Sequence, residues 1–201
     1  MYVREVMSSP AISVTPGTPV KHAADQLAGN GFTSMPVLDA GGGLVGVVNE
    51  ADLLAHRFPP DPRVPGPRIE AIGPGDTVGD VMHTDVLFTR PHEGVSNLIV
   101  VLRNAGIRAV PVVDTGVVVG MVTYGDLLQA MARDDALITA DIVRRLGRCP
   151  GHGHWRVAVA AGTVTLAGEE PDPVNRHTAQ LIAEAVIGTT AVRFSDPAVT
   201  G

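Results

Sequence analysis

Val20, Ala23, Ala24 and Leu27 recur at i, i+3, i+4 and i+7, the spacing of a helix with one buried face. Thr18 and Pro19 precede it as a cap and a first-turn proline, and Gly29-Asn30-Gly31 supplies a stop. Two apolar runs, 35–39 and 44–48, flank Gly41-Gly42-Gly43 and predict a hairpin, after which 51–56 begins a short helix. The same order then returns. Val95, Leu98, Ile99 and Leu102 form a second helical stripe, Gly106 ends it, and segments 110–114, 117–122 and 125–131 follow. With an opening strand, each pass reads β-α-β-β-α.

The two passes are copies of one another. Val3-Arg4-Glu5-Val6-Met7 returns 75 residues later as Val78-Gly79-Asp80-Val81-Met82, and Pro36-Val37 returns as Pro111-Val112. One residue is lost in the hairpin turn, so that Gly46, Val48 and Asp52-Leu53-Leu54 match Gly120, Val122 and Asp126-Leu127-Leu128 at an offset of 74. A tandem duplication accounts for this register, and repeats of this size define the fold before any single residue does.

Beyond about residue 134 the repeat stops. Ile138, Ile142, Val143 and Leu146 give one apolar helical face, and Trp155-Arg156-Val157-Ala158-Val159 alternates as a strand does. Gly162 turns the chain into Val164 and Leu166. Asp172 and Pro173 open a helix marked by Val174, Thr178, Leu181 and Ala185, and Ala191-Val192-Arg193-Phe194 closes as a strand. The order is α-β-β-α-β. The expected organisation is therefore repeat one at 1–57, a proline-rich linker at 58–75, repeat two at 76–132 and a separate tail at 134–196. Five prolines between Phe58 and Pro67 exclude a helix there. That linker reads as a spacer, or as a flap bringing Arg57, Arg63 or Arg68 over a ligand.

Composition narrows the function. The 201 residues are 45% hydrophobic and 18% charged, which excludes disorder as the main state, and no apolar run reaches membrane-spanning length. Met1-Tyr2-Val3-Arg4 lacks the basic-then-apolar pattern of a secretory signal, so the expected address is the cytoplasm. The net charge is −6, Lys21 is the sole lysine and aromatics are 3%, so neither a basic patch nor a stacking platform points to nucleic acid. A lone cysteine, Cys149, excludes an intrachain disulfide framework. Beside it, His152 and His154 offer imidazoles that read either as metal ligands or as solvated turn residues, and the expectation is no metal. P-loop and dinucleotide glycine fingerprints are absent, and no acid/base or nucleophile set stands out, so an enzyme is not expected.

The duplicated motif resembles a known family. Gly46-Val47-Val48-Asn49-Glu50-Ala51-Asp52 and Gly120-Met121-Val122-Thr123-Tyr124-Gly125-Asp126 are similar to the Gly-h-h-Thr/Ser-x-x-Asp signature of cystathionine-β-synthase (CBS) domains. The resemblance covers about residues 1–132. It implies a mixed α/β (α+β) fold in which two β-α-β-β-α repeats pack with pseudo-twofold symmetry and leave two clefts. It also implies AMP, ADP, ATP or S-adenosylmethionine as a ligand, with no required cofactor, and pairing into a homodimer through faces such as Leu53-Leu54 and Leu127-Leu128. Asp52 and Asp126 would accept hydrogen bonds from ribose hydroxyls, while Thr123 and, less well suited, Asn49 would turn towards phosphate. Arg108 stands three residues before Pro111, where the nucleotide-sensing subunit of AMP-activated kinase places phosphate-facing side chains. Its counterpart Thr33 carries no charge. Met35 and Val110 would line the adenine slot. Against these readings, the aspartates are equally read as helix caps and Arg108 as a surface arginine.

In the tail, Gly162-Thr163-Val164-Thr165-Leu166-Ala167-Gly168 resembles the hairpin of a BON domain. That family is associated with phospholipid attachment and partner binding. Clustered Lys/Arg for anionic lipid is lacking here, so membrane contact is the weaker option and a protein partner the stronger. The combined expectation is a non-catalytic nucleotide-responsive regulator. The alternative is a ligand-free structural adaptor.

Overall fold

The computed structural model describes residues 1–55, 63, 76–152, 154–168 and 172–195. The linker between Phe58 and Pro67, the flap arginines Arg57 and Arg68, and the acidic pair Glu169-Glu170 lie outside the described residues; of the three flap arginines only Arg63 is described, and it is exposed.

Each repeat is a helix, an antiparallel hairpin and a second helix. The first comprises α1 (Val20–Asn30), β1 (Ser34–Leu38), β2 (Leu44–Asn49) and α2 (Glu50–Leu54). The second follows a four-residue helix α3 (Val78–Val81) with α4 (Val95–Ala105), β3 (Ala109–Asp114), β4 (Val117–Thr123) and α5 (Tyr124–Met131). Gly31 and Gly106 close α1 and α4 at φ +66° and +67°, the left-handed conformation that glycine adopts without a steric penalty. The first hairpin turns through three glycines, of which Gly41 and Gly43 donate to the Asp39 carboxylate and Gly42 to the Asp39 carbonyl, whereas the second needs only Thr115 and Gly116, both at positive φ. That is where the one-residue gap between the copies falls.

Several sequence expectations are corrected. The opening strand of each repeat shrinks to a single parallel bridge, Val14 to Val37 and Thr89 to Val112. Pro16 and Pro91 follow two residues later and have no N–H to extend the ladder. Thr18 does not cap α1; the N-cap position is Pro19, and the Thr18 hydroxyl accepts from the Thr15 N–H at 3.0 Å. Ala24 and Ile99 lie on exposed faces, leaving Val20, Ala23 and Leu27, and Val95, Leu98 and Leu102, as the buried stripes.

The sequence repeats and the packing units are out of step. Val3, at the start of the chain, is buried with Leu98, Leu102, Val110, Val112 and Val122 of the second repeat. Val78 is buried with Val14, Val20, Leu27, Met35 and Val48 of the first. Each opening segment thus completes the core of the other copy, and paired backbone bonds hold it there. Ser8 exchanges bonds with Met121 (2.9 and 3.0 Å), and His83 with Val47 (both 2.9 Å).

The tail has the expected α-β-β-α-β order: α6 (Asp135–Arg148), β5 (Arg156–Ala160), β6 (Thr163–Ala167), α7 (Pro173–Glu184) and β7 (Ala191–Ser195). β6 is central, antiparallel to β5 and parallel to β7. Asp134 caps α6, and the adjacent Asp135 carboxylate accepts the N–H groups of Ala161 and Gly162 at the β5–β6 turn. The core holds Ile138, Ile142, Leu146, Val164 and Leu166. Val143 is exposed, and α7 buries Ala179 and Ala183 while Val174 and Leu181 face solvent. Large size marked the wrong face of α7, because the face that enters the core is the one carrying small side chains.

His152 is not solvated. It is buried, with Nδ1 2.9 Å from the Pro150 carbonyl and Nε2 3.2 Å from that of Asn175. Among the described residues no group of three or more His, Cys, Asp or Glu is placed to hold a metal ion, and no helix is long and apolar enough to cross a membrane.

Arg133, two residues past α5, joins the repeats to the tail. Its guanidinium donates to the Ile187 carbonyl at 3.1 Å and pairs with Asp141, which also pairs with Arg144. The hydrogen bond from Arg133 holds the Asp141 carboxyl below its ordinary value of 3.8; the charges of Arg133, Arg144 and Arg145 act the same way, and burial opposes them. A carboxylate depressed on folding stabilises the native state above its unfolded pKa and loses that contribution as pH falls through the lower folded value. Arg133→Met should therefore cost about 1–2 kcal/mol at pH 7, and the deficit should shrink below about pH 4. Urea unfolding at the two pH values, read from Trp155 fluorescence, checks this.

Candidate functional site

The end of each hairpin and the start of the helix that follows form a reciprocal cap. In the second repeat, the Thr123 N–H and hydroxyl both donate to Asp126 Oδ2 (2.7 Å each), and the Thr123 hydroxyl accepts from the Asp126 N–H at 3.1 Å. In the first, the Asn49 N–H donates to Asp52 Oδ2 at 2.9 Å, and Asn49 Oδ1 accepts from the Asp52 N–H at 3.0 Å. Asparagine therefore reproduces the backbone half of the cap but adds no hydroxyl bond to the carboxylate. The capping reading of both aspartates holds, and it leaves carboxylate lone pairs over.

What those lone pairs meet comes from the opposite repeat. Ser8 donates to Asp126 Oδ1 at 2.9 Å, and His83 Nε2 lies 2.9 Å from Asp52 Oδ1. Ser8 and His83 are themselves repeat mates, 75 residues apart and directly after the Val-Met segments. Sequence reasoning missed both. The signal was available in the duplication, but only the crossing of the segments puts them beside the aspartates.

Two clefts open between the repeats. One, of about 400 Å³, brings Arg108, Thr123 and Asp126 together with Ser8, Phe32 and Thr33. The other, of about 740 Å³, is lined by Asn49, His83, Glu50, Asp85, Thr33 and Arg108 among others. Asp52 is not on the second lining; its side chain is tied to Asn49 and His83. Thr33, Ser34 and Arg108 face both clefts and form their common wall. The backbone places this wall symmetrically: the Thr33 carbonyl accepts from Glu50 N–H at 3.1 Å, and the Arg108 carbonyl from Tyr124 N–H at 2.9 Å.

Met35 and Val110, expected at an adenine slot, line neither cleft. Both are fully buried in the hydrophobic cores, because alternate residues of β1 and β3 turn inward with Val37 and Val112. Ser34, one residue earlier, turns the other way. Its Oγ is buried and finds no hydrogen-bond partner among the described residues.

Gly46 and Gly120, the first residues of the signature, have a packing cause. A Cβ at Gly120 would stand 2.7 Å from the Ser8 carbonyl oxygen and 3.0 Å from Met7 Sδ. One at Gly46 would stand 2.7 Å from Met82 Sδ and 3.0 Å from the His83 carbonyl. The glycines let the crossing segments lie directly on β2 and β4.

These features define a class: a duplicated helix–hairpin module with two inter-repeat clefts, one headed by the capped Asp126 and the other bordered by Asn49. The CBS domain family matches residues 3–58 and 78–133, and the chain belongs to that family. Among solved structures it is similar to CBSX2 in complex with AMP (27% identity, TM-score 0.53, 64% of this chain and 94% of that one). It is also similar to the CBS domain pair of protein MJ0100 in complex with 5'-methylthioadenosine and S-adenosyl-L-methionine (25%, TM-score 0.53, 64% and 98%). A curated relative, the A-adding tRNA nucleotidyltransferase of Aquifex aeolicus (strain VF5), is 28% identical over 132 residues, 66% of this chain. The match spans only 14% of that enzyme's length.

Proposed function

We propose that this chain is a non-catalytic regulatory protein whose CBS pair binds an adenosine-containing compound and signals through its tail. The observation that carries the reading is the convergence of Arg108, Thr123 and Asp126 on one cleft with room for such a ligand. Asp126 Oδ1, which accepts from Ser8 and keeps a lone pair, accepts from a ribose hydroxyl, Arg108 neutralises a phosphate, and Thr123 holds the Asp126 carboxylate in place. Two similar CBS pairs carry AMP, or methylthioadenosine and S-adenosylmethionine, which supports the ligand class. Asp126 sits in the first turn of α5, and α5 runs into Arg133, which grips the tail. A ligand that binds two conformations unequally would be felt there.

The tail, BON-like in its element order and hairpin, would dock a protein partner through the exposed apolar residues Val174 and Leu181 on α7. Leu54 and Leu128, exposed at matched positions of the two repeats, suit pairing of two chains into a homodimer in the cytoplasm.

Thermal-shift titration with AMP, ADP, ATP and S-adenosylmethionine, with GTP as control, tests the reading. Saturable stabilisation by an adenosine compound is expected, and its absence at millimolar concentration would move the assignment to a structural adaptor. Ser34→Ala adds a sharper expectation. Removing a buried hydroxyl that has no partner among the described residues should leave the unligated protein as stable as before or slightly more so. If the ligand satisfies that hydroxyl, affinity should fall about tenfold in calorimetry.

A further inference from the structure

The two clefts share one arginine and differ in everything charged around it. At matched positions, the cleft headed by Asp126 has Tyr124 and Pro10 where the other has Glu50 and Asp85. It also has Ser8 where the other has His83, whose ring is engaged with Asp52. Arg108 lines both, and its counterpart Thr33 brings no second cation. Among the described residues, two carboxylates thus face the second cleft with no added fixed positive charge, and Arg108 cannot serve a phosphate in each cleft at once.

We infer that the clefts divide ligands by charge: the Asp126 cleft takes one phosphate-bearing adenosine nucleotide, and the Asn49 cleft takes an uncharged or cationic adenosine derivative. The inference rests on the adenosine reading above. A phosphate group in the second cleft would stand against Glu50 and Asp85 with Arg108 already engaged from the other side. A sulfonium or an uncharged nucleoside meets no such opposition, and the carboxylates attract the former. Both carboxylates are exposed, so their effect is screened by salt and is largest at low ionic strength.

Calorimetry on the full chain in about 50 mM salt separates the possibilities. AMP is expected to bind once per chain. S-adenosylmethionine, and adenosine as the neutral probe, are expected to bind once more to AMP-saturated protein. Two AMP molecules per chain with affinities within about threefold would overturn the inference. So would competition of S-adenosylmethionine with AMP for a single site, or failure of both probes to bind beside AMP. The double variant Glu50→Gln/Asp85→Asn should strengthen AMP binding in the second cleft by at least about tenfold and bring the stoichiometry to two. An unchanged stoichiometry in that variant would remove the charge argument while leaving the first cleft intact. Wild-type protein that binds no adenosine compound would overturn the underlying reading itself, a result distinct from any of these.

Discussion

Asp126→Ala should remove half or more of the stabilisation that an adenosine ligand confers. At about 100 times its dissociation constant a ligand adds roughly 2.7 kcal/mol. Hydrogen bonds to a charged acceptor are worth about 1.5–3 kcal/mol, so losing the ribose acceptor weakens binding by about 10- to 100-fold. At the same ligand concentration, a tenfold loss leaves about 1.4 kcal/mol and a hundredfold loss about 0.4 kcal/mol. The variant also loses three bonds inside the protein, from Ser8 and from the Thr123 N–H and hydroxyl, so its unligated stability should fall by about 1 kcal/mol. These two effects separate the readings of the aspartate. A residue that only caps α5 would lower the unligated melting temperature and leave the ligand-induced shift untouched. Differential scanning fluorimetry with and without ligand measures both quantities in one experiment.

Gly120→Ala is the second large effect, and it arises far more from backbone than from side chain. The added methyl meets the Ser8 carbonyl at 2.7 Å, an atom held by its bond from the Met121 N–H and unable to swing away. Overpacking of this kind costs about 1–3 kcal/mol. The same change at Gly46 meets first a methionine sulfur, the far end of a flexible side chain, and the His83 carbonyl only at 3.0 Å. Gly120→Ala should therefore destabilise more than Gly46→Ala, as read from urea midpoints. It should also weaken ligand binding, because the segment it displaces carries Ser8 to Asp126. A core change in the tail of similar cost, such as Ile142→Val, should leave ligand affinity where it was. Equal losses at the two glycines would mean that the crossing segments yield freely.

The link between these predictions is the exchange of opening segments. Val3 and Val78 each sit in the core of the other repeat, so Ser8 and His83 reach aspartates that are far from them along the chain. Stability and ligand geometry share one contact, and a change there moves both. In the tail, Arg133 plays a comparable part by joining the end of α5 to α6 and to the Ile187 carbonyl.

By itself the sequence determined the duplication, the helix–hairpin–helix order of each copy and the α-β-β-α-β order of the tail. Those are local matters. Apolar spacing, glycine stops such as Gly31 and Gly106, and capped aspartates act within a few residues and carry their meaning wherever the segment lies. The repeated motif also pointed to Thr123, Asp126, Asn49, Arg108 and Thr33, and the fold brings these to the clefts. Tertiary structure alone decided which repeat receives each opening segment, because Val3 and Val78 are equally apolar and either core could accept them. It decided that Met35 and Val110 turn into the cores while Ser34 turns to the clefts, since a strand offers both faces and only its packing partner chooses between them. It decided, too, that α7 buries Ala179 and Ala183 rather than Val174 and Leu181. Hydrophobicity ranks residues by size, but the closeness of the neighbouring elements selects the ones that fit.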